Sequence, residues 1–309
     1  MSKSARPTVK DVAQASGVSP TTVSFVLNGA SGHVSLETRE RVRQAARALG
    51  YVPNGSAQAL RKGSSRIVLL NVEGIPASNS LGSYIRGLDA ELTVHDHVLL
   101  VVHGHLSSQT LSDVAQTVSP RAVIDLADAG NADATADTRT SLDSFFAQAD
   151  VPVQYLVGKD HRHIAAALPE VAELQALAGL RGRLMQHASH AAGLARCATF
   201  TLPVSLDVAE ERLRSFRTEH PEVTAIAAYN DDLALLLLAA MRRLGLQAPA
   251  DLAVVGFDDT LHGALFSPAL TTVRIDAEAI GRIAARKALG LPSIDSAVEP
   301  ARVIVRESG

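Results

Sequence analysis

The chain has 309 residues, of which 47% are apolar and 4% aromatic, so two to three compact units can form with cores built mainly from Ala, Val, Leu and Ile. The single cysteine, Cys197, excludes an internal disulfide; with no signal region or membrane-spanning apolar run, the sequence predicts a cytoplasmic protein with no membrane partner. The net charge of −3 divides into +7 over residues 1–66 and −10 over residues 67–309, which indicates an anionic partner at one end or, alternatively, a solubilising basic arm.

Three short helices are predicted within the first fifty residues. Thr8, Ser19 and Ser35 each stand before a helical apolar pattern, as N-caps do, and Pro20 occupies the first position of the second helix. Gly17 allows a tight turn between the first two helices, so the segment is predicted to be a helix-turn-helix unit. The predicted buried stripes are Val9, Val12 and Ala13, then Val23, Val26 and Leu27, then Val42, Ala45, Ala46 and Leu49.

The stretch "YVPNGSAQALRKGSS" at residues 51–65 is predicted to be a linker. Pro53, Gly55 and Gly63 interrupt it, and the helical pattern between them is too short to be stable alone.

From Arg66 onward, short β-rich runs alternate with helical stretches, which predicts parallel sheets built from βαβ units in two lobes. "DDLALLLLAAMRRLG" is a clear intervening helix. The predicted strands are "RIVLLNV", "HVLLVVH", "RAVIDLA", "VPVQYLV", "HIAAALP", "AIAAY" and "LAVVGF".

At these residues the sequence resembles the LacI/GalR family of transcription regulators. The head matches in "TVKDVAQASGVSPTTVSFVLNG", "HVSLETRERVRQAARALGYVPN" and "AQALR", and the end in "AIAAYNDDLALLLLAAMRRLG" and "PADLAVVGFDD" with "SPALTTVRID". The resemblance implies a small all-α helix-turn-helix DNA-binding domain at residues 1–54, a hinge at 55–65, and at 66–309 an α/β core of two Rossmann-like lobes like those of periplasmic binding proteins. It also implies a homodimer on a double-stranded operator and a small-molecule effector between the lobes.

The resemblance places Pro20, Thr21 and Phe25 at base edges in the major groove, where the start of a recognition helix lies. Where the family commonly has arginine, Phe25 offers only apolar contact, for instance with a thymine methyl; alternatively it folds back onto the core of the head. Contacts to DNA phosphates are expected from Thr8, Ser19, Thr22, Ser24, Asn28, Tyr51 and Asn54, several of which could equally be caps or ordinary surface.

In the hinge, Leu60 matches the family's leucine that wedges between base pairs in the minor groove, and Ala57 is small enough to allow a close approach. Without the resemblance, Leu60 would be a minor packing contact in a polar linker.

At the ligand end, Asn230 and Asp258 keep the family pattern and follow strands, where open α/β sheets bind ligands; alternatively they cap helices. Ala176 stands where the family often has arginine, with Arg181 out of register, and Ala227 replaces a larger residue. Residues 158–163 are about fifteen residues shorter than in the family, so we expect a sheet face to be uncovered or repacked. We therefore expect an effector that is small, neutral or cationic, and weakly bound.

The remaining motifs favour no enzyme, metal or cofactor. His161, His163, His187 and His190 lack the spacing of a metal site, and no nucleophile elbow or phosphate-binding loop stands in a convincing context. The alternatives are a regulator of the same kind whose core serves only dimerisation or a protein partner, and, more remotely, an α/β enzyme or binding protein.

Overall fold

The structure is a computed structural model, and it describes residues 7–27, 34–51, 64–75, 77–104, 108–126, 148, 150–194, 197–292 and 298–309. The chain divides into two compact units, Met1–Ser65 and Arg66–Gly309. No helix in the described ranges has both the length and the apolar character needed to cross a bilayer.

The first unit contains helices α1 (Val9–Ser16), α2 (Pro20–Leu27) and α3 (Leu36–Ala48). The Asp11 carboxylate accepts from the backbone N and Oγ1 of Thr8 at 2.7 and 2.8 Å, which closes the start of α1. Ser19 Oγ accepts from the backbone N of Thr22 at 3.1 Å, and Ser35 caps α3 in the same way. All three predicted helix starts are confirmed.

The core of this unit is a small cluster of aliphatic side chains from its three helices. Gly17 adopts a left-handed φ of 65°, which turns the chain sharply between α1 and α2. Arg41 Nε donates to the Ser16 carbonyl at 3.0 Å and so ties α3 to the end of α1. Leu49 was predicted to be buried and is exposed, because it lies beyond the last turn of α3. The buried members are Val12, Ala13, Val23, Val26, Val42 and Ala46.

The second unit begins with a three-stranded parallel sheet in the order β2-β1-β3. Its strands are β1 (Ile67–Asn71), β2 (Val98–Val102) and β3 (Ala122–Asp125). Helix α4 (Asn79–Val94) connects β1 to β2, α5 (Ser108–Val118) connects β2 to β3, and α6 (Val151–Gly158) precedes the next sheet.

The second sheet has four parallel strands in the order β5-β4-β6-β7. These are β4 (Ile164–Pro169), β5 (Ala198–Leu202), β6 (Ala225–Ala228) and β7 (Ala253–Val255), linked by helices α7 (Gln175–Ala191), α8 (Leu206–Glu219) and α9 (Asp231–Arg243). A short turn of 3₁₀-helix (Ala172–Leu174) precedes α7, and helix α10 (Leu261–Leu265) follows β7. The two parallel sheets confirm the predicted two-lobed α/β core.

The run "VPVQYLV" was predicted to be a strand, and this prediction is wrong, because it forms helix α6. Pro152 is tolerated in the first turn, and Val153 and Leu156, three residues apart, are both buried against the second sheet. Periodicity does not separate a short buried strand from one face of a helix. The helix covers the sheet face formed by the side chains of Ala166 and Ala225.

After the second sheet the chain returns to the first, and its last residues then lie against β7, where the backbone N of Val254 donates to the Ser308 carbonyl at 2.7 Å. Strand β8 (Thr272–Arg274) pairs antiparallel with β9 (Arg302–Ile304), and helix α11 (Ala277–Leu289) lies between them. Helix α11 packs along α4 with their backbones in near contact at two glycines. A Cβ on Gly87 would collide with the Glu278 carbonyl, and one on Gly281 with the Tyr84 carbonyl.

We expect Gly87→Ala to lower the free energy of unfolding by about 1 to 3 kcal/mol, because the added methyl falls on backbone that cannot rotate away. Gly82→Ala is the matched control on the same helix, since its Cβ would meet only the end of the Arg86 side chain at 3.7 Å. Alanine at position 82 should be neutral or stabilise by up to about 1 kcal/mol. Urea denaturation of the full chain measures both, and equal effects would contradict the close approach.

Candidate DNA-binding surface and effector site

The outer face of α2 presents small polar side chains together with Phe25. Pro20 and Thr21 are exposed, and Phe25 is 49% exposed and lies outside the apolar cluster of the head. Thr21 and Phe25 are four residues apart and therefore share one face of the helix. The structure does not place Phe25 in the core, which was the alternative to its role at a base edge.

Five of the other residues expected to contact DNA lie among the described residues. Ser19 Oγ lies 2.9 Å from Thr22 Oγ1, so these two hydroxyls are held together at the start of α2. Ser24 is partly buried, and Tyr51 packs at the edge of the head's core. Thr8 is exposed, with its hydroxyl bound to Asp11. Asn28, Asn54, Ala57 and Leu60 lie outside the described residues.

The predicted effector residues lie at one edge of the second sheet, because Asn230 follows β6 and Asp258 follows the neighbouring strand β7. The backbone N of Asp231 donates to the Phe257 carbonyl at 2.9 Å and so holds the two strand ends together. The structure thus brings both predicted residues to the edge where parallel sheets bind ligands.

Asn230 has the helix-capping role that was its alternative. Its Oδ1 accepts from the backbone N of Leu233 at 3.0 Å, which fixes the side chain at the start of α9. Its Nδ2 makes no hydrogen bond to any described residue. A ligand acceptor could bind Nδ2 without disturbing the cap.

Asp258 is buried, with 8% of its surface exposed, in a backbone conformation that non-glycine residues rarely adopt, φ 119°. Its Oδ1 accepts from Ser80 Oγ at 2.5 Å, and its carbonyl accepts from Asn79 Nδ2 at 3.0 Å. Asp258 caps no helix; Thr260 caps α10 instead. The next residue, Asp259, also lies in the left-handed region, φ 48°.

A second buried carboxylate holds this unusual loop. Asp231 Oδ2 accepts from the backbone N and Oγ1 of Thr260 at 2.7 and 2.9 Å, and its Oδ1 accepts from Thr272 Oγ1. A Cβ on Gly256 would collide with the Asp231 carboxylate, so the loop passes directly over it. Burial raises the pKa of Asp231.

Asp259 binds two arginines from the segments that cross to the first sheet. Its Oδ1 accepts from Arg306 Nη2 at 2.6 Å, and its Oδ2 from Arg274 Nε at 2.5 Å. Because its carboxylate is nearly buried, these pairs are stronger than exposed ion pairs usually are. They join β7, β8 and the segment after β9 at one point.

Arg181 was expected to be out of register, and its guanidinium lies at the strand ends that carry Asn230 and Asp258. It is buried, donates to the Tyr229 carbonyl, and its guanidinium lies 4.2 Å from the ring centre of Phe257 and 4.9 Å from that of Tyr229. Ala176, at the family's arginine position, is exposed. An arginine inside the buried stripe Ala178, Gly182 and Met185 of α7 was the sequence signal that could have revealed it.

Two further observations concern the expected effector site. Ala227, expected to replace a larger residue of the family, is fully buried in the core between the second sheet and α6. A cavity of about 460 Å³ borders Asp258 and is lined on its other sides by Asn79, Ser83, Arg274 and Glu299 among others. Asn230 does not line this cavity.

The electrostatics of Asp258 follow from its burial, which raises its pKa to about 6. The hydrogen bond from Ser80 and the charge of Arg181 lower the pKa, and the carboxylates of Asp231 and Asp232 raise it. Anion repulsion was expected because an arginine was thought to be missing. Arg181 weakens that expectation, although the carboxylates still outnumber it.

The histidines singled out in the sequence are described in the structure, and they include His161. His161 Nδ1 lies 2.8 Å from Thr224 Oγ1, and burial lowers its pKa. Among the described residues, no three His, Cys, Asp or Glu side chains are placed to hold a metal ion.

Two family models match the chain: bacterial regulatory proteins of the lacI family over residues 8–54, and the periplasmic binding protein-like domain over residues 153–308. The chain is therefore a helix-turn-helix protein with a periplasmic-binding-protein-like core. The chain belongs to the periplasmic binding protein-like domain family, and its first residues match the lacI family of bacterial regulatory proteins, which confirms the resemblance; it is a DNA-binding transcriptional regulator.

The chain is similar to transcriptional regulators over most of its length and most of theirs. The chain is 29% identical to the HTH-type transcriptional regulator GntR of Pseudomonas aeruginosa, over 93% of this chain and 89% of that one. It is 27% identical to the lactose operon repressor of Escherichia coli, over 92% and 84%. The described fold resembles the lac repressor dimer bound to operator and the anti-inducer ONPF, with a TM-score of 0.74 at 22% identity over 98% of both chains. It also resembles the CelR–cellobiose complex, with a TM-score of 0.63 at 24% identity over 98% of this chain and 100% of that one.

The buried Asp258 predicts a specific dependence of stability on pH. The folded pKa of Asp258, about 6, exceeds the ordinary value of 3.8. The contribution of its protonated form to the free energy of unfolding is therefore fully present below pH 3.8 and is lost as the pH rises through about 6. In wild type, the free energy of unfolding should fall by up to about 3 kcal/mol between low and neutral pH because of Asp258. We expect Asp258→Asn to abolish this part of the fall and to leave the part due to Asp231.

Urea denaturation between pH 4 and pH 7 measures this difference. Asp89→Asn, which changes an exposed carboxyl on α4, is the control and should keep the wild-type slope. Identical slopes for wild type and Asp258→Asn would show that Asp258 is not the titrating group.

Proposed function

We propose that this regulator is a repressor that binds a pseudo-palindromic operator as a homodimer, through residues 1–54 and a hinge at 55–65. The observation that carries the proposal is the exposed face of α2, where Thr21 and Phe25 stand free of the head's core. The net charge of +7 on residues 1–66 supplies the phosphate contacts that any DNA complex needs. In this proposal Leu60 is the minor-groove wedge and Ala57 allows the two hinges to approach.

The homodimer is supported by exposed apolar surface on the core. Leu261 and Leu265, four residues apart on α10, are 71% and 75% exposed. Two leucines on one face of a surface helix favour burial against another chain. One solved relative is described as a lac repressor dimer bound to operator.

For the core, we propose that a small-molecule effector binds at the edge marked by Asn230 and Asp258. Relatives of this fold have been solved with cellobiose and with ONPF, which supports a small-molecule ligand in a core of this kind. Asn230 Nδ2 and the carboxylate of Asp258 would supply a donor and an acceptor. Cytoplasmic localisation and the absence of enzymatic activity follow from the regulator role and belong to the same proposal.

A second reading of the core keeps DNA binding but has no effector. It is favoured by one observation: Asp258 is already bound by Ser80 of the same chain, and Asn230 already caps a helix. Calorimetry of the full chain against sugars, sugar phosphates, nucleosides and amino acids separates the two readings. Sub-micromolar binding of a sugar phosphate would contradict the expected neutral or cationic effector.

In vitro binding-site enrichment with the full chain tests the operator. We expect a pseudo-palindrome of roughly 14 to 20 base pairs, because two identical heads read half-sites spaced by about one turn of DNA. A selected sequence with a single asymmetric half-site would be evidence against the dimeric repressor.

We expect Phe25→Arg to change the selected base without destabilising the head, because arginine offers a bidentate contact to guanine worth about 1 to 3 kcal/mol of discrimination. The same enrichment measures the base, and hydrogen exchange of α1–α3 in the full chain measures stability. Val23→Ala is the control for core damage and should accelerate exchange, because Val23 is fully buried. Acceleration by Phe25→Arg to the same extent would assign Phe25 to packing.

A further inference from the structure

The start of α4 is joined to the loop after β7 by three hydrogen bonds. Ser80 Oγ donates to Asp258 Oδ1 at 2.5 Å, and Asn79 Nδ2 donates to the carbonyls of Asp258 and Asp259 at 3.0 and 3.2 Å. Helix α4 packs with the first sheet, and the loop continues β7 of the second sheet while its Phe257 side chain packs in the core of the first. These bonds therefore link the two lobes of the core at the residue proposed to hold an effector.

We propose that Ser80 is an internal ligand of Asp258: its hydroxyl takes the place of an effector group and keeps the lobes latched when no effector is bound. The inference deepens the proposed effector site and rests on it. An effector that reaches Asp258 must displace Ser80, so its binding exchanges one contact for another and opens the latch.

The surroundings make this contact favourable and replaceable. Ser80 and Asp258 are both buried, and a hydrogen bond to a carboxylate is stronger where water is excluded. The cavity of about 460 Å³ borders both residues, so the serine side chain has space into which it can move. Ser83, one turn further along α4, borders the same cavity, but its hydroxyl donates to the Asn79 carbonyl instead.

The replacement of the Ser80 hydroxyl by an effector group also determines which effectors bind well. A ligand hydroxyl that replaces the serine hydroxyl restores an equivalent bond, so it gains little. An ammonium group gains a charge-assisted bond, because it pairs with the carboxylate. Carboxylates outnumber guanidinium groups along the cavity, so the local charge favours a cation; the lining has Asp258, Asp259, Asp276, Glu278 and Glu299 against Arg274 and Arg302. The latch thus favours an amine-bearing effector over a plain polyol.

Hydrogen exchange of the full chain, read by mass spectrometry over residues 78–88 and 256–263, tests the latch. We expect Ser80→Ala to accelerate exchange about tenfold in both segments, corresponding to about 1.4 kcal/mol, while β4 and β6 stay protected. Asp258→Ala, which removes the acceptor, should accelerate the same segments, and the double variant should add little to either single change because both remove one contact. Ser83→Ala is the matched control and should leave both segments unchanged.

Equal hydrogen-exchange rates in Ser80→Ala and Ser83→Ala would overturn the latch. Acceleration spread evenly over the core would overturn it too, because it would show that the bond only stabilises the fold. The ligand panel on wild type and Ser80→Ala keeps the two proposals apart. Tighter binding of an amine-bearing ligand to Ser80→Ala would support displacement, and equal affinity for both proteins would overturn it. A latch detected by exchange in a protein that binds no ligand would overturn the proposed effector site and the displacement of Ser80 with it, and would leave only the hydrogen-bonded contact between Ser80 and Asp258.

Discussion

The buried carboxylate of Asp231 is the interaction on which the candidate effector site depends. It binds Thr260 and Thr272, which belong to the loop after β7 and to β8, from the first turn of α9. These bonds hold Asp258 and Asp259 in left-handed conformations that the chain would otherwise avoid. Asp258 can then reach Ser80, and Asp259 can reach two arginines.

The head of the regulator could be predicted from its sequence almost residue by residue. Its signals are local: Ser19 and Ser35 cap helices within three residues, and Val12, Val23 and Val42 repeat with helical spacing. The predicted burial of Leu49 was wrong because the orientation of its side chain depends on where α3 ends. In the core, the strands before and after α9 were found for the same reason, since buried parallel strands form continuous apolar runs.

The site was harder to predict because its contacts join distant parts of the chain. Ser80 and Asp258 are 178 residues apart, and no local pattern connects them. Arg181 was missed because it is one turn or more away from the position of the family's arginine, whereas its burial on α7 shows its importance. The run "VPVQYLV" was misassigned because the sheet face against which it packs is formed by strands that come later in the chain. Asn230 and Asp258 were found through the resemblance and the rule about strand ends, whereas the self-contact that occupies Asp258 required the fold.

The glycines at the contact between α4 and α11 have a mechanical consequence. Backbone meets backbone at Gly87 and Gly281, so neither helix can slide without lifting over the other. We therefore expect the two helices to move as one rigid unit along the 13 residues of α11, about 20 Å of helix, because no side chain lies between them at these points to rearrange.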